Sequence, residues 1–596
     1  MTIIKNKYRT HSCAELNEQA VGETVTLSGW IHKMRDHGGL IFVDLRDYYG
    51  ITQVVFDASV SDDLKKIEEN RVESVITIEG EVVARTEETI NPDLSTGKIE
   101  VAAKSFKVLS NADVLPILVA SDEKFGEDLR LKYRYIDLRR EKLKKNIQMR
   151  MDVFKEIRSI MNGKGFNEIQ TPVLTASSPE GARDFLVPSR VHHGKFYALP
   201  QSPQIFKELS MVAGFDRYFQ LAPCFRDEDL RSDRLLEFYQ LDMEMSFVER
   251  EDVMETMQDN MMKVFNKFKG DKIIDENIPH ITYQEAMETY GIDRPDLRNP
   301  LVIKEVGEVF AGSDFGLFAS LVAKGNSVKA VRTPGTAGQP RSWYDKLNDW
   351  ARSEGAGGLG YIVFNEDGTT KGPIAKNLDE ARINQIREIC GVENGDSVFF
   401  CCDKLEEAQK FAGKVRTKLG TDLELINKNE FKFCWVIDFP FFEKHEETGE
   451  LAMGHNPFSQ PRGGMEALNN AENPFDILSE QYDFICNGYE LGGGSIRHET
   501  LDTLVKCFDM VGYGEEVVKE KFGSMYDAYH YGVPPHGGIA MGMERIIMLL
   551  CDEPNLREVV PFPANGKGQD TMMGSPSEVS EQQLREAHIK VRPTIK

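Results

Sequence analysis

Three segments, far apart along the chain, set arginine beside carboxylate or stand next to such a place. The first is Gly165-Phe166-Asn167-Glu168-Ile169-Gln170-Thr171-Pro172-Val173-Leu174, a helix end expected to run into a strand through Pro172. The second is Cys224-Phe225-Arg226-Asp227-Glu228-Asp229-Leu230-Arg231; after a turn over 231–236 comes 237–244, whose alternation predicts a strand. The third is Gly537-Gly538-Ile539-Ala540-Met541-Gly542-Met543-Glu544-Arg545, read as strand, glycine turn and the opening of a helix. A guanidinium is planar, grips phosphate through two parallel hydrogen bonds and keeps its charge. Two of them on different elements can hold a triphosphate bent, with its α-phosphorus open to attack. The glycines before Arg545 allow close approach of backbone to a nucleotide. No GxxxxGK[ST] loop is present, and no GxGxxG follows an N-terminal strand, so the common nucleotide folds are disfavoured. Taken alone, Arg226 reads as a surface ion pair; the chemistry rests on the three segments together.

The elements that must position these groups follow from the patterning. At roughly 100–200 residues per domain, 596 residues predict three to five domains. Residues 1–110 predict strands over 24–31, 40–45, 51–56, 75–84 and 99–108, with a helix over 62–71, the pattern of an OB-fold barrel. Residues 111–130 form a linker, and 131–290 mix helices with strands. The texture changes near 296, and 291–428 carry helices and glycine-rich turns such as Gly355-Ala356-Gly357-Gly358 but none of the chemical segments. Strands resume over 429–555, so 291–428 reads as an insertion splitting one α+β domain; 556–596 is a tail. The fold class is multidomain α+β.

Composition bounds the setting. No run of about 18 apolar residues exists, which excludes a membrane helix. The N-terminus shows neither an apolar signal core nor an Arg/Ser-rich transit segment, and the nine cysteines form no CxxC; a reducing cytoplasm is expected. The net charge of −24 argues by itself against nucleic acid. Against it stands the stretch 129–158, with eleven Lys/Arg to four acids, which could track a phosphate backbone.

The order and combined detail of the three segments resemble motifs 1, 2 and 3 of the class II aminoacyl-tRNA synthetases. Ser178-Pro179-Glu180-Gly181-Ala182-Arg183-Asp184-Phe185, Gln201-Ser202-Pro203-Gln204-Ile205-Phe206-Lys207, Gly454-His455-Asn456-Pro457-Phe458 and 487–497 resemble the amino-acid pocket of the bacterial-type aspartyl-tRNA synthetases. Gly29-Trp30-Ile31-His32 and 35–42 resemble that family's anticodon-binding barrel, and 291–428 its extra domain. The resemblance covers essentially the whole chain. It implies a class II antiparallel-sheet core and a two-step reaction. The α-carboxylate of aspartate attacks the α-phosphorus of ATP, pyrophosphate leaves, and a terminal ribose hydroxyl of tRNA-Asp takes the aspartyl group, releasing AMP.

The resemblance also implies roles. Arg226 clamps the α-phosphate and Arg545 the γ-phosphate; Asp227, Glu228, Glu490, Gly542, Met543 and Glu544 complete the ATP site. Asp483 and Glu490 hold Mg²⁺, although seven residues apart on one strand they would face opposite sides unless Asn487-Gly488 makes a turn. Arg497 takes the substrate's side-chain carboxylate with Lys207 beside it. Glu180, Ser202 and Gln204 take its ammonium end, Asp242 steadies the pocket and His455 closes over it. Phe42 stacks on the middle anticodon base, Gln53 reads its edge, and Arg35, Arg85 and Glu100 meet its neighbours. His37 resembles enzymes that charge both tRNA-Asp and tRNA-Asn, whereas Glu88 stands where those often have glycine; relaxed specificity is the reading adopted. Leu235-Leu236 depart from the family's Gln-Pro. A homodimer through Pro172 is implied. The alternatives are another class IIb enzyme, for asparagine or lysine, or a non-catalytic RNA-binding paralogue. The latter would be expected to have lost Arg226, Glu228, Asp483, Glu490, Arg497 or Arg545, all of which are present.

Overall fold

Along Thr24–Asp36 every second side chain from Val25 to Ile31 is buried, the period-two pattern of a strand lying on a core. Leu40–Arg46, Ile51–Asp57, Val75–Ala84 and Ile99–Ser110 join it in a closed five-stranded barrel, in which Ile51–Asp57 and Ile99–Ser110 are the parallel pair. Val25, Leu27, Ile41, Val43, Val54, Phe56, Ile76 and Ile78 fill the interior. The chain is described here from a computed structural model covering residues 3–177, 181–230, 233–445, 448–454 and 456–592. It falls into two units, 1–145 with 561–577, and 146–560 with 578–596.

In the first unit the helix expected over 62–71 is shorter. Ser61 caps one α-turn, Asp62–Lys65, and Lys66–Glu69 continue as 3₁₀ helix. Only Leu64 and Ile67 reach the core, enough apolar surface for two turns, and the Asn70 side chain donates to the Lys66 and Ile67 carbonyls and closes the end. Four arginines of the basic stretch are tied into the fold. Arg130 and Arg134 each reach Asp137 at 3.0 Å, Arg140 lies 3.6 Å from its other oxygen, and Arg139 reaches Glu73 at 3.0 Å.

Glu73 is a hub of this unit. It has φ of 66°, is buried, and takes both terminal nitrogens of Arg46 at 2.7 and 2.8 Å. Burial pushes its pKa up, but hydrogen bonds to His32, Arg46 and Arg139 and the charge of Arg46 outweigh this and hold it at about 2.

In the second unit an eight-stranded sheet runs His280–Thr282, Phe433–Ile437, Gln481–Cys486, Tyr489–Ile496, His536–Gly542, Glu237–Ser246, Arg217–Phe225, Asn167–Glu168. Its six inner strands are antiparallel, and each edge strand lies parallel to its neighbour. Val153, Ile157 and Met161 of Glu141–Gly163, and Met257, Met261 and Phe265 of Arg250–Phe268, share a core with Phe433, Trp435, Tyr482 and Phe484. The strand expected through Pro172 stops at Glu168. Proline cannot donate to a ladder, and the Thr171 amide and hydroxyl bond the Gln220 side chain instead.

Within 291–428 lies a separate antiparallel sheet, Ile303–Glu305, Ser327–Thr333, Ser397–Asp403, Gly360–Phe364, Thr370–Lys371. Apolar clusters cover both of its faces, one containing Phe310, Phe318 and Ile386, the other Tyr344, Leu347 and Val415.

Replacing Glu73 with Gln strands Arg46 in the core and is expected to cost about 3–5 kcal/mol. The wild-type contribution is complete above the ordinary carboxylate value of 4.5 and is lost as pH falls toward 2. Glu73→Gln should therefore flatten the acid limb of unfolding monitored by circular dichroism, and a variant that keeps the wild-type acid limb would contradict this account.

Candidate active site

A buried cluster of charge lies where one helix meets two strands. Helix Gln204–Val212 buries Lys207 and Glu208. Strand Glu237–Ser246 carries Asp242 and Glu244, two apart and so on one face. Tyr489–Ile496 ends just before Arg497. Lys207 Nζ lies 2.7 Å from Asp242 and 3.2 Å from Glu244, while Arg497 donates from Nε and Nη2 to the two oxygens of Glu244 at 2.8 and 3.0 Å. These four side chains are at most 2% exposed. Glu244 is thus the hub joining Lys207 to Arg497. Sequence reasoning quoted its strand without giving it a role; its two-residue offset from Asp242 is the signal that could have found it.

The electrostatics separate the two acids. Burial pushes the Glu244 carboxyl up, but Arg497 and Lys207 outweigh it and hold it near 2; at Asp242 burial wins over Lys207 and the pKa is raised. Nη1 of Arg497 donates to Ser495 Oγ at 2.7 Å, so three of its five N–H groups are used and two remain for a ligand. A Cβ on Gly538 would collide with the Glu244 carboxylate and the Met243 carbonyl. Gly538 thus serves side-chain packing between strands. Gln204 donates to Glu208 at 2.5 Å, and Glu208 lies 3.4 Å from His536. Ser202 is half-buried just before this helix. Glu180 and His455 lie outside the described residues.

The groups expected to meet a triphosphate are split. Arg226 makes no ion pair among the described residues; its guanidinium stands 5.1 Å from the centre of the Phe238 ring, and its amide donates to Leu236. Glu228 is held by Arg234 at 2.6 Å within the same loop, and the Asp227 amide donates to the Arg183 carbonyl. Leu235 packs against the core, so the Leu-Leu departure replaces a polar contact with an apolar anchor. Arg545 Nη1 donates to the Glu490 carbonyl at 2.6 Å and lies 4.0 Å from its carboxylate.

Gly542 caps the helix Met543–Leu550. Two side chains assigned to ATP are placed elsewhere. Met543 is in the hydrophobic core, and Glu544 is buried with Arg150 on one oxygen at 2.8 Å and the Tyr239 amide on the other at 3.0 Å. The helix turns its apolar face, with Ile546 and Ile547, into the core and carries both inward.

Asp483 and Glu490 are brought together. They lie on two strands of one hairpin, so face parity along a single strand does not apply. Asn487 and Gly488, at φ 52° and 82°, make the turn, and the register shifts by one residue at Phe484/Ile485. A Cβ on Gly493 would stand 2.5 Å from Asp483 and 3.8 Å from Glu490, so glycine leaves room for both carboxylates. Burial, then the charge of Glu490, pushes the Asp483 carboxyl well up. No third His, Cys, Asp or Glu joins them in a metal-holding group among the described residues. Two hard oxygen donors whose mutual repulsion a dication would relieve fit Mg²⁺ carried by a phosphate ligand.

On the barrel the predicted residues form one chain of contacts. Arg35 reaches Asp44 at 2.9 Å and Gln53 at 3.4 Å, Gln53 donates to Glu100 at 2.9 Å, and Arg85 lies 3.6 Å from Glu100. Asp44 was not anticipated. Ile41 and Val43 point inward, so Phe42 points out; it is half-buried, its ring edge-on to His37 with centroids 5.5 Å apart. His37 is exposed in the hairpin turn, and Glu88 is exposed in the 3₁₀ turn Glu87–Thr89.

Comparison with known proteins agrees with this architecture. The family described as "tRNA synthetases class II (D, K and N)" matches residues 126–566, and "OB-fold nucleic acid binding domain" matches 25–109. The chain belongs to the class II tRNA synthetases of the D, K and N group. It is 56% identical over 595 residues to a Gluconobacter oxydans protein named "Aspartate--tRNA(Asp/Asn) ligase", covering 98% of this chain and 99% of that one. A Rickettsia bellii protein of the same name is 52% identical, with 99% of each chain covered. Among solved structures, asparaginyl-tRNA synthetase from Pyrococcus horikoshii with asparaginyl-adenylate has a TM-score of 0.57 at 19% identity, covering 93% of this chain and 97% of that one. A putative aspartyl-tRNA synthetase from Leishmania major has a TM-score of 0.57 at 19% identity, covering 94% and 95%.

Gly538→Ala is expected to force apart the strands around Glu244 and to lower stability by about 1–3 kcal/mol or more. Thermal denaturation checks this, and an unchanged melting temperature would show that the space is not needed.

Proposed function

We propose that this chain activates L-aspartate with ATP and transfers it to tRNA-Asp. The observation that carries the amino-acid choice is the buried pair Lys207 and Arg497, joined by Glu244, with two Arg497 donors left over. A carboxylate side chain satisfies those donors. An amide would set an NH₂ against them and leave buried groups unpaired, at about 1–3 kcal/mol for each group. The relatives named aspartate--tRNA(Asp/Asn) ligases support the same choice and disfavour the asparagine, lysine and non-catalytic readings.

The chemistry is positioning and charge stabilisation without a protein nucleophile. Arg226, free of ion pairs among the described residues and steadied on Phe238, holds the α-phosphate; Arg545, anchored on the Glu490 backbone, holds the γ-phosphate. Gln204 and Ser202, with Glu180 and His455, orient the ammonium end so that the α-carboxylate faces phosphorus. Asp242 steadies Lys207. Asp483 and Glu490 would hold Mg²⁺, which when bound neutralises the developing charge on the departing pyrophosphate. Glu228 meets the adenine end after parting from Arg234, and Asp227 lines that loop. The tRNA hydroxyl then attacks the mixed anhydride, and AMP leaves.

For the tRNA, Phe42 offers a stacking face on the barrel, worth about 1–3 kcal/mol for a base. Gln53, Arg35, Arg85 and Glu100 supply the polar edge around it. His37 at the hairpin turn and the names of the relatives support charging of tRNA-Asn as well, with Glu88 on the neighbouring loop the residue against it. A homodimer through the Pro172 segment is supported by the exposed Val173, Leu174, Leu186 and Phe196. No disulfide joins cysteines among the described residues, in keeping with a reducing cytoplasm, and no helix among the described residues is long and apolar enough to cross a membrane.

ATP–pyrophosphate exchange with aspartate, asparagine and lysine tests the amino-acid choice, aspartate alone being expected to support it. Glu244→Gln should raise the KM for aspartate about 10-fold or more, and an unchanged KM would remove Glu244 from the pocket. Purified enzyme is expected to charge both tRNA-Asp and tRNA-Asn; charging of tRNA-Asp alone would reject relaxed specificity. Light scattering should give the dimer mass, against which a monomer peak would count.

A further inference from the structure

The turn between Asp483 and Glu490 is held from outside the hairpin by the segments where the chain enters and leaves the insertion. Asn487, 4% exposed, makes three hydrogen bonds to the first core residues after the insertion. Its amide donates to the Lys432 carbonyl at 3.1 Å, its Oδ1 accepts from the Lys432 amide at 2.9 Å, and its Nδ2 donates to the Glu430 carbonyl at 3.0 Å. Opposite, Gly488 faces the way into the insertion, where a Cβ would stand 3.1 Å from the Asp296 Cβ. The 296–301 segment is itself tied to the insertion's helix Leu405–Asp422. Arg416, buried over the Tyr290 ring, donates to the carbonyls of Asp296, Asn299 and Leu301 at 2.9, 2.7 and 2.6 Å.

The segments flanking both crossings between core and insertion therefore meet the tip of one hairpin, which carries Asp483 four residues before Asn487 and Glu490 two residues after Gly488. An open surface pocket of about 250 Å³, lined by Asp275, Tyr290, Leu297, Asn299, Lys432 and Phe433, lies beside the grip. A shift of a hairpin's tip is felt first by the residues next to the turn, and Glu490 is the second residue past Gly488, whereas Arg497 lies beyond the far end of that strand.

We infer that Asn487 is a positioning residue for Asp483 and Glu490, and that the insertion, which meets the same turn at Gly488 through Asp296, shares in setting the spacing of the two carboxylates. This rests on the reading of that pair as the Mg²⁺ site. It gives the insertion a part in nucleotide activation: its placement fixes how well Mg²⁺·ATP is held. It leaves the aspartate pocket, built on Lys207, Asp242, Glu244 and Arg497, untouched.

Asn487→Gly keeps the turn's positive φ while removing both side-chain bonds, so it is the informative variant in the full-length protein. Outer-shell contacts of this kind typically carry about 10–100-fold in cation affinity. The Mg²⁺ concentration for half-maximal pyrophosphate exchange should rise by about 10-fold or more, and binding of Mn²⁺ with a non-hydrolysable ATP analogue, measured by calorimetry, should weaken by the same factor. The KM for aspartate should stay as in the parent. Unchanged cation dependence, or an aspartate KM raised by the same factor, would overturn the inference. Should Asn487→Gly fail to fold, Arg416→Lys, which loosens only the Asp296 side, carries the same test with the same readouts. Glu490→Gln separates the two layers. If it leaves the cation dependence unchanged, the metal reading fails; if it shifts the dependence and Asn487→Gly does not, only the role of Asn487 and the insertion fails.

Discussion

Glu244 holds two cations, Lys207 and Arg497, in a place that water does not reach. Burying three charges is costly, and their attraction offsets that cost only when geometry and hydrogen bonding are nearly ideal. Much of the second unit can be read as what secures that geometry. Strand Glu237–Ser246 is paired on both sides, so the hub cannot drift along the sheet. Glycine at 538 opens the lateral space that its carboxylate fills. Arg497 is tied again through its own amide to the His536 carbonyl, on the strand next in the sheet. Selectivity for an acidic ligand then follows from leftover donors more than from added recognition groups.

The same logic of internally spent charge runs through the chain. Arg46 and Arg139 close on Glu73, Arg130 and Arg134 on Asp137, Arg150 on Glu544, and Arg250 and Arg462 on Asp438. A net charge of −24 therefore understates how few of the arginines stand open. Arg226 is an exception among the described residues, and that exception is informative: an arginine steadied on a ring, with no carboxylate at ion-pair distance, is ready to take an anion.

The barrel was legible because its strands alternate, and the alternation alone places Phe42 outside while Ile41 and Val43 are inside. The strand carrying Asp242 was legible for the same reason. The sheet of the insertion was not. Ser397–Asp403 is buried on both faces over most of its length and reads as an apolar run without a period, while Ser327–Thr333 buries Lys329 among its apolar residues. Other features depend on partners that a local reading cannot supply. Glu544 looks like a nucleotide contact until Arg150, 394 positions away, claims it. Glu73 gives no local sign that it will bind Arg46 and Arg139 from a left-handed turn. The position of Asp483 against Glu490 turned on two residues, Asn487 and Gly488, whose turn chemistry the sequence did signal.

The edges of the sheets have a consequence for behaviour at high concentration. The five-stranded barrel closes on itself and leaves no edge strand. The eight-stranded sheet ends on one side in the three residues His280–Thr282 and on the other in the two residues Asn167–Glu168. The sheet of the insertion ends in Ile303–Glu305 and Thr370–Lys371, again three and two residues. Exposed strand edges invite pairing with other chains, and stubs of this length offer too few free amides and carbonyls to template it. Long inner strands framed by truncated outer ones let a β-rich molecule remain dispersed while its flat apolar surfaces stay committed to its own core.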